Sequence, residues 1–207
     1  MKLTAISFSY ADNSMNTRGI QLLDHYLNFH EKIDIRNIPL CDSNKSDGKV
    51  PESVSDFNDT LQDADALVFC IPEATAHYTA GFKVAMDWLV VQSNFNSKLG
   101  ANYSITDKPI YVFTFTPTYK DGGYRHFDMI THLLHDKLGA DVRKCMVMQD
   151  GWRKVIPNNF DYVKEEAQYI LNDLKDYEFK PAKDIESYYD INKWLELYEH
   201  WDKQWTK

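Results

Sequence analysis

The apolar residues of this chain follow two alternating patterns. Short unbroken runs recur, and after each the apolar positions return every three or four residues. Ala66-Leu67-Val68-Phe69-Cys70-Ile71 is the clearest run. A wholly apolar run closed by Pro72 predicts a strand buried on both faces, as in the middle of a parallel sheet. After a polar break, Phe82, Ala85, Met86, Leu89 and Val90 recur at i, i+3, i+4, i+7 and i+8, one face of a helix. Strand, long loop, helix is the repeating unit.

The same alternation runs through the rest of the chain. Lys2 to Ser9 predicts a first strand, and Ser14 or Asn16 caps a helix whose Ile20, Leu23 and Leu27 share a face. Lys32 to Ile38 predicts a second strand through Ile33, Ile35 and Ile38. Cys41 to Pro51 is polar and predicts a surface loop. Glu52 to Asp63 predicts a helix with Val54, Phe57 and Leu61 inward. Gln92 to Lys108 predicts a long polar connection. Pro109 to Thr116 is the fourth strand, Tyr124 to Leu138 a helix stopped by Gly139, and Ala140 to Met148 the fifth strand. Tyr162 to Tyr177 is the last domain helix, through Val163, Ala167, Ile170, Leu171 and Leu174.

Five strands alternating with helices, without hairpin signals, predict a three-layer α/β fold with a parallel sheet and right-handed crossovers. Five strands favour the flavodoxin-like order 2-1-3-4-5. Residues 1–178 form this domain, and 179–207 are an appendage. In the appendage Tyr188, Ile191, Trp194, Tyr198, Trp201 and Trp205 step by three or four, an aromatic stripe on a helix roughly 30 Å long. Such a stripe is expected to dock on its own domain or on a partner subunit.

Composition narrows the partners. The formal net charge is −8, which argues against nucleic acid or an anionic membrane. No apolar run approaches the ~20 residues of a membrane span. Cys41, Cys70 and Cys145 lack metal-ligand spacing, and Cys70 and Cys145 fall in predicted buried strands. The expected compartment is the cytoplasm, and no metal is expected.

In a sheet of this order the ligand crevice lies beyond the strand carboxyl ends, at the switch point between the first and third strands. Three loops converge there. Ser9 to Asn16 sets Ser9, Ser14, Met15 and Asn16 at a helix N-terminus, where free N–H groups and the helix dipole suit a phosphate. A plain capped helix is the bland alternative. Pro72 to Gly81 carries Pro72, Glu73, Ala74 and Thr75, with His77 and Tyr78 in reach; its backbone could lie along a flat ring, or it is an ordinary crossover. Thr116 to Gly123 ends in Gly122-Gly123, which permits close backbone approach to a ligand or simply makes a tight turn. Arg125 reads as a solvated first-turn residue. The chain contains no G-x-G-x-x-G, Walker, G-x-S-x-G or H-E-x-x-H motif. His132 and His135 share a helix face but lack a third ligand.

At these three loops the sequence resembles the NAD(P)H-dependent FMN reductase family, which includes flavin, quinone and azo-dye reductases. The family's Gly-Ser-x-Arg-x-x-Ser-x-Asn is matched at Ser9, Ser14 and Asn16, with Phe8 and Ala11 at the Gly and Arg positions. Its Pro-Glu-Tyr-Asn is Pro72-Glu73-Ala74-Thr75, followed by the Lys83, Asp87 and Trp88 of its next helix. Its Gly-Gly-x-Arg is Gly122-Gly123-Tyr124-Arg125, and Leu138-Gly139-Ala140 closes the motif set.

The resemblance implies FMN with its phosphate on the Ser9–Asn16 loop and its ring between the other two. It implies NADPH or NADH as co-substrate and a small-molecule electron acceptor. It also implies a homodimer or homotetramer with the site near the interface. No side chain is then expected to be essential, because the cofactor carries the chemistry. Two other readings stay open on the residues: a protein of this fold that has lost FMN and serves as a binding or regulatory module, and a flavodoxin-like electron carrier.

Overall fold

The computed structural model describes residues 1–41, 50–95, 103–117 and 122–179. The aromatic stripe after Pro181 and the loop at 42–49 lie outside the described residues.

The five principal strands are β1 (Leu3–Ser7), β2 (Glu31–Asp34), β3 (Ala66–Cys70), β6 (Pro109–Phe115) and β7 (Asp141–Met148). They form one sheet in the order β2-β1-β3-β6-β7, and every pairing is parallel. Counted along the chain this is the expected 2-1-3-4-5. Each residue of β1, β3 and β6 is buried, as unbroken apolar runs require when both faces are covered.

The helices are α1 (Met15–Leu27), α2 (Glu52–Asp63), α3 (Ala80–Phe95), α4 (Phe127–Thr131), α5 (Gly151–Lys154) and α6 (Lys164–Lys175). On one face Leu23 of α1 and Ile170 of α6 join Ala5, Val68 and Phe113 in a core. On the other, Leu61, Phe82, Ala85 and Ile130 join Ile6, Phe8, Phe69 and Val112.

Four expectations are corrected. The second strand stops at Asp34 instead of reaching Ile38, because the Asp34 carboxylate accepts the Arg36 N–H at 3.0 Å and turns Ile35–Asn37 into a short 3₁₀ turn. The connection expected from Gln92 is helical as far as Phe95. The helix expected from Tyr124 starts at Phe127, and His132–Lys137 widens into a π-helical stretch before Gly139, at φ +69°, ends it. Leu171 is exposed, not inward, while Val163, Ala167, Ile170 and Leu174 are buried.

Helix α1 lies unusually close to β6. A Cβ built on Gly19 would stand 2.3 Å from the Phe115 ring, and that ring is buried and stacked on Phe113. In an exposed helix Gly→Ala gains about 1 kcal/mol. Here the sign reverses: Gly19→Ala is expected to destabilise by about 1–3 kcal/mol through overpacking, read as a lowered urea midpoint. A raised midpoint would mean that α1 can move off the sheet freely.

Candidate functional site

The first loop begins where β1 leaves the sheet. The Phe8 N–H still donates to the Cys70 carbonyl at 3.0 Å. Its side chain turns into the core against Phe69 and Phe82, with ring centroids 5.0 and 5.2 Å away. Phe8 therefore puts no bulk on the ligand side. Ser9 is buried and its hydroxyl accepts the Ala11 N–H at 3.2 Å. Ser14 is the N-cap of α1, accepting the Thr17 N–H at 3.1 Å. Met15 and Asn16 open the first turn, where N–H groups have no carbonyl partner within the helix.

Asn16 is spoken for. Its Nδ2 donates to the Phe115 carbonyl at 3.2 Å and its Oδ1 accepts the Phe115 N–H at 3.1 Å. The side chain binds the end of β6 to the start of α1, so only its backbone N–H is left to face a ligand.

The second loop is a small hairpin, which the pattern of the chain does not predict. Glu73–Ala74 (β4) pairs antiparallel with His77–Tyr78 (β5). The turn residues Thr75 and Ala76 have φ of +52° and +61°, the conformation that Asn-Gly usually supplies. A β-branched Thr there carries strain of order 1–2 kcal/mol. Pro72 and Glu73 are half-buried, whereas Ala74 and Thr75 are exposed. Tyr78 leans on Phe82, and the Thr79 hydroxyl donates to the Phe8 carbonyl at 2.7 Å, joining this loop to the first. Below it, Lys83 pairs with Asp87 on the surface of α3 and Trp88 Nε1 donates to the Pro39 carbonyl at 2.7 Å. These three motif residues are structural.

The third loop is described at Thr116–Pro117 and from Gly122 onward. Thr116 is buried, with its N–H on the Met148 carbonyl at 3.0 Å. Gly122 and Gly123 are buried too. Gly123 has φ +91°, and a Cβ there would lie 2.7 Å from Val147, so conformation and space both require glycine. The carboxylate of Glu73 joins this loop to the second: Oε2 accepts the N–H of Gly123 at 2.7 Å and of Arg125 at 3.3 Å.

Each pair of loops is therefore tied. Asn16 ties the first to the strand end that leads into the third, Thr79 the second to the first, and Glu73 the second to the third. A fourth segment, absent from the expectations, closes the same edge. Gly151 N–H donates to the Thr116 carbonyl at 2.9 Å, and a Cβ on Gly151 would lie 2.6 Å from Met15 Sδ.

Two titratable groups were also missed. Arg36, in the turn after β2, pairs with Asp12 of the first loop and with Asp34. The negative charge beside the α1 N-terminus is thus matched by a guanidinium from another element. His126 is fully buried, and its Nε2 lies 3.0 Å from Thr114 Oγ1, whose hydroxyl donates to the Ile71 carbonyl at 2.8 Å. Its Nδ1 makes no hydrogen bond and faces Glu73 Oε2 at 3.5 Å. Burial lowers the His126 pKa, against the pull of Glu73. Burial likewise raises the Cys70 and Cys145 thiols, Cys70 fully buried and Cys145 half-buried. Both are poor nucleophiles. Among the described residues no His, Cys, Asp or Glu cluster could hold a metal. His132 Nδ1 sits 2.7 Å from Asp136 and His135 Nδ1 3.0 Å from the Ala140 carbonyl.

Residues 1–147 match the NADPH-dependent FMN reductase family. The chain belongs to that family. Solved structures agree on the fold. The flavoenzyme FerB of Paracoccus denitrificans, an NAD(P)H:(acceptor) oxidoreductase, is 18% identical with a TM-score of 0.58, covering 83% of this chain and 97% of its own. The NAD(P)H:quinone oxidoreductase of Methanothermobacter marburgensis is 16% identical with a TM-score of 0.57, over 87% and 99%. The FMN-dependent NADH-azoreductase of Bacillus anthracis, solved with FMN, is 13% identical with a TM-score of 0.55, over 82% and 98%. No curated protein matches significantly. Within this family Phe8 and Ala11 are departures on the first loop, and the structure turns Phe8 inward and pairs Arg36 with Asp12, the residue after Ala11.

His126 gives a pH signature. Unfolded histidine titrates near 6.5; native His126 titrates lower, so the folded chain binds fewer protons. Its contribution to stability is whole above that pH and is lost as the pH falls through it. Between about pH 8 and pH 5.5 the urea midpoint of the wild type should fall further than that of His126→Gln. Parallel falls would show that His126 titrates as an exposed group does.

Proposed function

We propose that this protein is an FMN-dependent NAD(P)H oxidoreductase that reduces a flavin, quinone or similar small acceptor. The observation that carries the reading is the three-way tying of the switch-point loops beside the N-terminus of α1, in a chain of the FMN reductase family. The residues present fit FMN. The first-turn N–H groups of Met15 and Asn16, with the Ser9 and Ser14 hydroxyls beside them, are phosphate chemistry. The nearby Asp12 carboxylate is paired instead of opposing an anion. The second and third loops are held against each other by Glu73, with Pro72, Glu73, Ala74 and Thr75 on one side and Thr116, Gly122 and Gly123 on the other. When bound, FMN would accept hydride from NADPH or NADH and pass electrons to the acceptor. The chain's own part is to bind, orient and exclude water.

The reading extends to organisation. Residues 1–178 are the reductase domain and 179–207 an appendage. A homodimer or homotetramer with the site near the interface is part of it. Exposed Trp152, Ile156 and Phe160 supply apolar surface for such an interface. The cytoplasm is the proposed compartment. No described helix is long and apolar enough to cross a membrane.

The protein should show a bound-flavin absorption band, as purified or after FMN titration, and NADPH should bleach it. No binding at micromolar FMN would refute the reading and favour a module that has lost its cofactor. Arg36→Ala leaves Asp12 unpaired at the phosphate end. It should weaken FMN binding about tenfold, or ~1.4 kcal/mol, and adding Asp12→Asn should restore much of the loss. Unchanged affinity in Arg36→Ala would remove Arg36 from the site.

A further inference from the structure

The hydrogen bonds around His126 are one proton short. The Thr114 hydroxyl has a single hydrogen, and it points to the Ile71 carbonyl. Its oxygen can then only accept from His126, so Nε2 carries the imidazole proton. Nδ1 is left as a bare acceptor 3.5 Å from the carboxylate oxygen Glu73 Oε2, with no hydrogen bond of its own. Two acceptors facing each other in a buried place are unfavourable. The other neutral tautomer fares no better, since it takes the Thr114 hydroxyl away from Ile71. The doubly protonated ring keeps Nε2–H on Thr114 and turns the 3.5 Å contact between Nδ1 and the Glu73 carboxylate from repulsive to attractive.

Burial opposes that state at rest. Among the described residues, the titratable groups facing His126 are Glu73 from β4, His77 from β5, and Arg125, whose guanidinium lies 3.8 Å from the other Glu73 oxygen. Glu73 favours protonation of His126, while His77 and burial disfavour it. Arg125 offsets part of the Glu73 charge. One added negative charge nearby would tip this balance. The pair bridges the second and third loops, between which the flavin ring lies in the reading above.

We propose that Glu73 and His126 form a proton-accepting clasp: Glu73 positions the two ring-side loops, and His126 Nδ1 takes one proton from solvent when hydride delivery brings negative charge to the ring. This rests on FMN occupying those loops. The balance is simple. NADPH would give up a hydride, which carries the electron pair, to bound FMN and leave as NADP⁺; solvent loses one proton; the Nδ1–H bond forms and faces the Glu73 carboxylate. Both residues are positioning residues here, acting on the ring through the loops and the local field.

The experiment is anaerobic reduction of the FMN-loaded protein by one equivalent of NADPH, in weak buffer near pH 7.5 with an indicator dye. The wild type should consume one more proton per flavin than His126→Gln. Glu73→Gln, which keeps an acceptor for the Gly123 N–H but removes the charge, should match His126→Gln. Equal counts in all three proteins overturn the clasp and leave the reductase reading intact. A wild-type measurement covers variants that fail to fold. In ¹⁵N-histidine spectra His126 should carry a proton on Nε2 alone in the oxidised protein and on both nitrogens once reduced. An unchanged ring overturns the proposal. Failure to bind FMN, or to bleach with NADPH, overturns the clasp and the reductase reading together.

Discussion

The contact of α1 with the end of β6 is the constraint on which the rest of this site depends. A parallel sheet brings its loops to one edge but does not set the distances between them. Gly19 lets the helix descend onto the Phe115 ring, and Asn16 then takes both backbone groups of Phe115. Together they fix the helix N-terminus in height and rotation against the third loop. The other two ties work in the same manner. Thr79 holds a carbonyl of the first loop, and Glu73 holds amides of the third. In each case a side chain grips backbone.

The layers were legible in the sequence because burial on two faces writes itself as unbroken apolar runs. Ala66–Cys70 and Pro109–Phe115 could be nothing else in a chain with so few turn signals. The three loops followed from the strand order alone. What escaped is what periodicity cannot carry. The Asn16, Thr79 and Glu73 ties span 99, 71 and 50 residues, and each uses a residue type that also serves on any surface. The β4–β5 turn was hidden because Thr75 and Ala76 are poor markers of a left-handed conformation. His126 looked like one scattered histidine among seven. Its place directly after Gly122-Gly123-Tyr124-Arg125 was the one available hint.

The departures from the family pattern on the first loop look different once placed. Phe8 stands where the family has glycine, yet its ring fills the core between Phe69 and Phe82. Ala11 stands where the family has arginine, and a guanidinium approaches the same loop from Arg36, a different element. Asn16 matches the family residue but spends its amide on the sheet. Identity of a motif letter and contribution to a ligand are thus separate matters here: one match is structural, and beside one mismatch a guanidinium from another element pairs with the loop's own carboxylate.

This redistribution bears on how an acidic chain can hold a phosphate. The net charge of −8 gives no attractive background field for an anion. Arg36 is shared between Asp12 and Asp34, so that cluster sums to one negative charge, not to a positive one. The pairing removes a repulsion more than it adds an attraction. On the proposed placement of the phosphate, backbone N–H groups at the start of α1 supply most of its partners, and a helix terminus contributes on the order of 1 kcal/mol at an exposed surface. More of the binding free energy has to come from the ring. That places the weight on the second and third loops, whose separation is set by one half-buried carboxylate, and it makes Glu73 more consequential to this protein than any residue that would touch the phosphate.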